Sequence, residues 1–143
     1  MKILIINGPN LNFLGIREPQ IYGHLTYNNL KEYLSNEAKN LDLEIEIYQS
    51  NHEGSIIDKL QEAYYNKVNG IVINAGAYTH YSYAILDAIK STMIPTIEVH
   101  LSDITKRESF RANSVIRDAC IASYYGKGFE SYKEALIHFK NNL

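Results

Sequence analysis

The chain has 143 residues and a mass of 16.4 kDa, enough for about one domain. Hydrophobic residues are 45% and charged residues 21%, which excludes a disordered or collagen-like chain, and 14 basic against 16 acidic side chains give a net charge of −2 without the basic field that non-specific nucleic-acid binding needs. The lone cysteine, Cys120, excludes an intrachain disulfide, and the first apolar run, Ile3 to Ile6, is too short for a signal peptide or membrane span, so residues 1–143 read as one soluble, cytoplasmic domain.

Lys2 to Asn7 is a short, continuous apolar strand, the pattern of a strand buried on both faces. Leu30, Tyr33, Leu34, Ala38 and Leu41 recur at helical spacing, with Thr26 as the N-cap. Leu43, Ile45 and Ile47 alternate with Glu44, Glu46 and Tyr48, which places that strand near a sheet edge. Ile56, Ile57, Leu60, Ala63 and Tyr64 form a second helix face. Gly70 to Asn74 is another buried strand, and Ala84, Ile85, Ala88 and Ile89 mark a third helix. Pro95 introduces a fourth strand over Thr96 to Leu101, because proline is tolerated at a strand's start and not inside it.

A short helix over Arg107 to Ser114 then leads to a fifth strand over Ala119 to Tyr124, with Cys120 inside it, buried and inert. Ser131 to Glu134 has the capping-box pattern that opens a last helix, whose face is Tyr132, Ala135, Leu136 and Phe139. Five alternations of strand and helix predict an α/β fold with a five-stranded parallel sheet and helices on both faces. One irregular stretch, Gly8 to His24, is long for a strand-to-helix connection and is the candidate lid.

Ligands of open parallel sheets bind beyond the carboxyl ends of the strands. Those ends carry Asn7-Gly8-Pro9-Asn10, Asn74-Ala75-Gly76-Ala77 and His100-Leu101-Ser102. Glu98 and His100, two apart on a strand, share a face and form a hydrogen-bonded pair or two ligands of a metal. No third ligand stands at useful spacing, and no phosphate-binding loop, Cys-x-x-Cys or serine elbow is present. Of the four arginines, Arg17 lies in the irregular loop and Arg107 and Arg111 lie just past the fourth strand. Arg17 and Arg111 are the candidates for a small carboxylate, which a guanidinium fork matches. Tyr22 sits five residues after Arg17. A phenol titrates near ~10, so a guanidinium close to it would make it a competent base.

Taken together, these segments resemble the type II, metal-free 3-dehydroquinate dehydratases over essentially the whole chain. Asn7 to Gly15 (NGPNLNFLG) is similar to that family's opening signature, Arg17 to Gly23 (REPQIYG) to its active-site loop, and Ile97 to Ser102 (IEVHLS) to its fourth-strand segment. Asn74 to His80 also matches, with Ala77 in place of a glycine found in some members. The resemblance implies a flavodoxin-like three-layer fold. It also implies the shikimate-pathway dehydration of 3-dehydroquinate to 3-dehydroshikimate, a step of aromatic amino acid biosynthesis, by anti elimination through an enolate. No cofactor, metal, nucleic acid or membrane takes part.

The same resemblance implies roles residue by residue. Tyr22 is the base, Arg17 lowers its pKa and stabilises the transition state, and His100, oriented by Glu98, protonates the departing hydroxyl. Asn10 helps to hold the enolate oxygen through a water. Asn74, Leu101, Ser102 and Arg111 hold the carboxylate and ring hydroxyls, and His80 contacts the hydroxyl region. Asp87 reaches the site of a neighbouring subunit in a homo-oligomer of trimers, four of which make a dodecamer. A flavin-binding or signalling module without this activity, and an inactive homologue, stand as the alternatives. A receiver lacks its acidic residues at Asn7-Gly8 and Asn74, and Gly8 to Leu11 makes a poor flavin phosphate loop.

Overall fold

The computed structural model describes residues 1–16 and 18–143, with the side chain of Tyr22 outside the description. Five strands are found: β1 (Lys2–Asn7), β2 (Glu44–Gln49), β3 (Gly70–Asn74), β4 (Thr96–His100) and β5 (Ala122–Tyr125). All pair in parallel, in the order β2-β1-β3-β4-β5. The helices are α1 (Pro19–Tyr22), α2 (Tyr27–Asn40), α3 (Glu53–Tyr65), α4 (Tyr83–Thr92) and α5 (Phe129–Asn142). This is the order of a flavodoxin-like sheet, which reverses direction between β1 and β3 and opens a crevice at the carboxyl ends there.

Alternating side chains of the central strands feed two separate cores. Ile3, Ile5, Val72, Ile97 and Val99 pack against Leu30 and Leu34 of α2 and against Tyr132, Leu136 and Phe139 of α5. Leu4, Ile6, Ile71 and Ile73 pack against Ile56 and Leu60 of α3 and Ile85 and Ile89 of α4. Both faces of β1, β3 and β4 are therefore covered, which is why those strands read as unbroken apolar runs. Strand β2 stands at an edge, as its alternation predicts. Thr26 caps α2 in a reciprocal box with Asn29. None of the helices among the described residues is long and apolar enough to cross a membrane.

The structure corrects three local expectations. The segment after β4 forms two separate 3-10 turns, Ile104–Lys106 and Ser109–Ala112, instead of one helix over Arg107 to Ser114. The last helix begins at Phe129, ahead of Ser131. Gly128 turns in at φ 58°, and the Ser131 hydroxyl reaches back to accept the Lys127 N–H at 3.1 Å while Glu134 pairs with Lys127 Nζ. Strand β5 begins at Ala122, because Arg117–Ala119 forms a 3-10 turn that carries Cys120 at its end. Cys120 thus lies outside the strand and is half-buried rather than buried. Burial, and then the charge of Glu98, push its thiol up to about 12, which leaves it without thiolate character.

Close approach of backbones fixes the crevice between β1 and β3. Gly8 donates its N–H to the Asn74 carbonyl at 2.7 Å, and a Cβ added at Gly8 would stand 2.5 Å from the Ala75 carbonyl oxygen. A side chain there would force the two strand ends apart.

Candidate active site

A pocket of about 120 Å³ opens at the carboxyl ends of β1, β3 and β4. Drug-sized ligand sites run to about 300–1,000 Å³, so this one suits a small molecule. Pro9 to Leu11 and Leu14 line it from the loop after β1. Asn74, Gly76, Ala77 and His80 line it from the turn after β3, and His100 to Ser102, Ile104, Arg107 and Arg111 from the segment after β4. Asn10, Asn74, His80, His100, Leu101, Ser102 and Arg111 were all expected at a site, and they meet here. Arg107, just past β4, lines it as well, with its guanidinium 3.8 Å from Glu18.

Glu98 and His100 point the same way from β4, as their spacing requires. His100 Nε2 stands 2.6 Å from Glu98 Oε2, and both residues are buried. A carboxylate only accepts, so Nε2 carries the hydrogen and Nδ1 is the nitrogen that can exchange a proton. The second carboxylate oxygen, Oε1, accepts from Arg117 Nε at 2.9 Å. Burial pushes the Glu98 carboxyl upward, but the hydrogen bond and charge of His100 and the hydrogen bond from Arg117 outweigh it and take it down to about 2. Glu98 is therefore an anion throughout the working range. A guanidinium bound to the same carboxylate also disfavours a metal cation there, and no group of three potential ligands exists among the described residues.

Asparagine amides at the strand ends are held by a buried phenol. Tyr132 Oη, fully enclosed on α5, donates to Asn7 Oδ1 at 2.6 Å and accepts from Asn74 Nδ2 at 2.9 Å. Asn74 Oδ1 in turn accepts the Gly76 N–H at 3.2 Å. These bonds fix which way the Asn74 amide faces and leave one of its N–H groups for a ligand. On the other side, Asn10 adopts the left-handed conformation (φ 69°), which asparagine tolerates, and its N–H donates to Asn51 Oδ1 at 3.0 Å. Gln49, at the end of β2, binds the Gly8 carbonyl, Asn12 and Asn51 and so braces the same turn.

His80 Nδ1 lies 2.8 Å from the Asn113 carbonyl, and its ring packs edge-on to Phe110. Burial moves its pKa down, with the Asn113 hydrogen bond opposing, so His80 is neutral rather than a cation at neutral pH, with Nδ1–H donating to Asn113 and Nε2 left as an acceptor. Arg111 pairs with Glu108 and stacks on Phe110, which holds its fork at the pocket wall. Asp87 lies exposed on α4 and does not line the pocket. Arg17 and the Tyr22 side chain lie outside the described residues. Sequence patterns had not singled out Tyr132 or assigned a role to Arg107 and Arg117. Arg107 shared the strand-end position that drew attention to Arg111. Tyr132 sits on an apolar helix face, where a tyrosine reads as core.

The depressed Glu98 carboxyl makes stability depend on acid. Its folded pKa, about 2, is below the ordinary 4.5, so its contribution is complete above about pH 4.5 and is lost as pH falls toward 2. Urea unfolding of the parent and of Glu98→Gln should differ by a few kcal/mol at pH 7, and the gap should close across that window. A gap that stays constant down to pH 2.5 would show that the carboxylate is not held in this way.

The whole chain finds relatives of one kind. The family model described as dehydroquinase class II matches residues 1–140. A 3-dehydroquinate dehydratase of Clostridium acetobutylicum is 57% identical over 143 residues, covering 100% of this chain and 99% of that protein. One from Caldicellulosiruptor bescii is 56% identical over 142 residues, covering 99% and 98%. The crystal structure of a type II dehydroquinase from Butyrivibrio crossotus superimposes with a TM-score of 0.96 at 55% identity, covering 99% of this chain and 98% of that one. With a family model matching residues 1–140, full-length relatives more than half identical and the same fold, this chain belongs to the class II dehydroquinase family.

Proposed function

We propose that the chain is a 3-dehydroquinate dehydratase that converts 3-dehydroquinate to 3-dehydroshikimate in the shikimate pathway. The observation that carries this reading is the Glu98–His100 pair opening on a small pocket that also holds Asn10, Asn74, Ser102, Arg107 and Arg111. Eliminating water from a β-hydroxy ketone requires a base at the carbon alpha to the carbonyl, stabilisation of an enolate, and an acid for a poor leaving group. His100 Nδ1, on a ring fixed by Glu98, supplies the acid. The forks of Arg111 and Arg107 suit the substrate carboxylate. Asn74 and Ser102 bind the ring hydroxyls with the Leu101 backbone, and His80, neutral with its Nδ1–H on the Asn113 carbonyl, accepts beside them through Nε2.

Tyr22 is the base in this reading, with Arg17 favouring its ionised form and stabilising the transition state, and Asn10 holds the enolate oxygen through a water. Anti elimination needs base and acid on different sides of the ring, and in this reading they come from different elements, the loop after β1 and the end of β4. No lysine is required, because an enolate route has no Schiff base, and no step calls for a metal or cofactor. The flavin-binding and signalling alternatives are disfavoured by the turn after β1. There Gly8 spends its N–H on Asn74 and presses on Ala75, so no phosphate cradle is formed.

Residues 1–143 act in this reading as one cytoplasmic domain, assembled as trimers that build a dodecamer. The exposed Asp87 then serves a neighbour's site, since it has no place in its own pocket.

Mixing the protein with 3-dehydroquinate should produce the ultraviolet absorption of a conjugated enone, and a silent spectrum with folded protein would refute the assignment. Tyr22→Phe should lower kcat by about 10²–10⁴-fold, the usual worth of a general base, with a much smaller change in KM. Normal turnover with reduced thermal stability would instead mark Tyr22 as structural. For the assembly, Asp87→Ala and Arg17→Ala proteins, each inactive alone, should regain part of the activity when dissociated together and reassembled. A fully active monomer in light scattering would exclude the shared site.

A further inference from the structure

We propose that Arg117 is a positioning residue for the dehydration, acting through Glu98: it clamps the carboxylate that carries His100 and shares the negative charge that the imidazole meets. The proposal rests on the dehydratase reading above for the role of His100, while the coupling itself rests on geometry alone.

One buried carboxylate serves two partners. Oε2 holds His100 Nε2 at 2.6 Å and Oε1 holds Arg117 Nε at 2.9 Å. Arg117 lies in the 3-10 turn before β5 and does not line the pocket. Its Cζ stands 5.6 Å over the ring of Tyr125, the β5 residue that pairs with His100 in the sheet. Its Nη2 is buried and has no hydrogen-bond partner among the described residues. A solvated surface arginine would keep that arm in water. Here the guanidinium accepts partial desolvation, and Glu98 is the anion that compensates it.

The charged and titratable groups around the pair come from every neighbouring element. His100 lies on β4, and Arg117 and Cys120 come from the turn before β5. Ser114 approaches from the preceding segment, and His80 and Arg111 stand on the pocket side. Among them Arg117 is the cation hydrogen-bonded to the carboxylate. A carboxylate shared with a guanidinium pulls less strongly on an imidazolium proton. Without Arg117 the full charge would fall on His100 Nε2, the ring would release its proton less readily to the leaving hydroxyl, and the carboxylate could rotate. Turnover should fall while substrate binding persists.

The test compares Arg117→Gln, which loses the charge, with Arg117→Lys, which keeps it. Arg117→Gln should lower kcat about 3- to 10-fold, leave KM within about twofold, and move the alkaline limb of the kcat profile upward by about half a unit. Arg117→Lys should recover most of kcat and the parental limb. The imidazole resonance that His100→Asn removes should titrate at higher pH in Arg117→Gln than in the parent, a readout that needs no substrate. Parental kcat and an unmoved limb in Arg117→Gln would overturn the proposal, as would equal losses in both variants with no change in titration, which is the signature of packing alone. If the parent fails to dehydrate 3-dehydroquinate, the functional reading falls, and the imidazole titration still decides whether Arg117 is coupled to His100.

Discussion

A full negative charge sits inside this molecule, on Glu98 in the middle layer, and the geometry of the site follows from the need to satisfy it. An unpaired buried carboxylate would take up a proton rather than remain charged. Two donors on different elements prevent that, one from its own strand and one from the turn that precedes β5. The pairing fixes the tautomer of His100, aims its other nitrogen, and ties the fourth strand to the fifth at the level of the pocket. Such a bridge contributes little net stability relative to an apolar replacement, yet breaking one side of it is costly. Its value lies in orientation.

The same logic recurs one strand away, without charge. Asn7 and Asn74 end β1 and β3, where the sheet changes direction and the backbones approach so closely that Gly8 admits no side chain. Two amides enclosed there must have partners, and one phenol on α5 bonds to both, with Tyr27 and the Gly76 N–H completing them. Burial keeps the Tyr132 hydroxyl protonated: enclosure raises its pKa above the ordinary phenol value, and the Asn74 hydrogen bond only partly opposes it. The helix that closes one core therefore also sets the amide that faces the pocket. Packing and polar satisfaction are carried by one side chain.

This division of labour explains what the sequence made legible. Strands buried on both faces announce themselves as apolar runs, and the polar faces of Glu44 and Glu46 announce an edge, so the architecture was readable from pattern alone. Glu98 and His100 were readable as a pair because a strand's period of two brings them together. Arg117 is not, because its partner lies 19 residues back on β4 and only the tertiary fold brings the turn before β5 against it. Tyr132 was hidden by its own packing. Between β4 and β5 the chain forms separate 3-10 turns rather than one helix, and its buried apolar anchors, Ile104 and Ile116, flank the stretch instead of forming a helical face within it.

The two halves of the proposed chemistry differ in how they are built. The acid is set in the sheet, with its carboxylate held from two sides and its ring enclosed, so its direction is fixed before any substrate arrives. The base in this reading belongs to the stretch after β1, which is anchored through Leu11 and Leu14 in the core as well as at its ends. Gly8 and Asn10 are bonded to β3 and to the turn after β2, and α2 begins at its Thr26 cap. In the proposed reading the acid and the base come from different elements, the end of β4 and the stretch after β1, which is the separation that anti elimination asks for. In this arrangement the fixed partner must carry the orientation for both, which is why a second donor on Glu98 matters at a distance from the pocket itself.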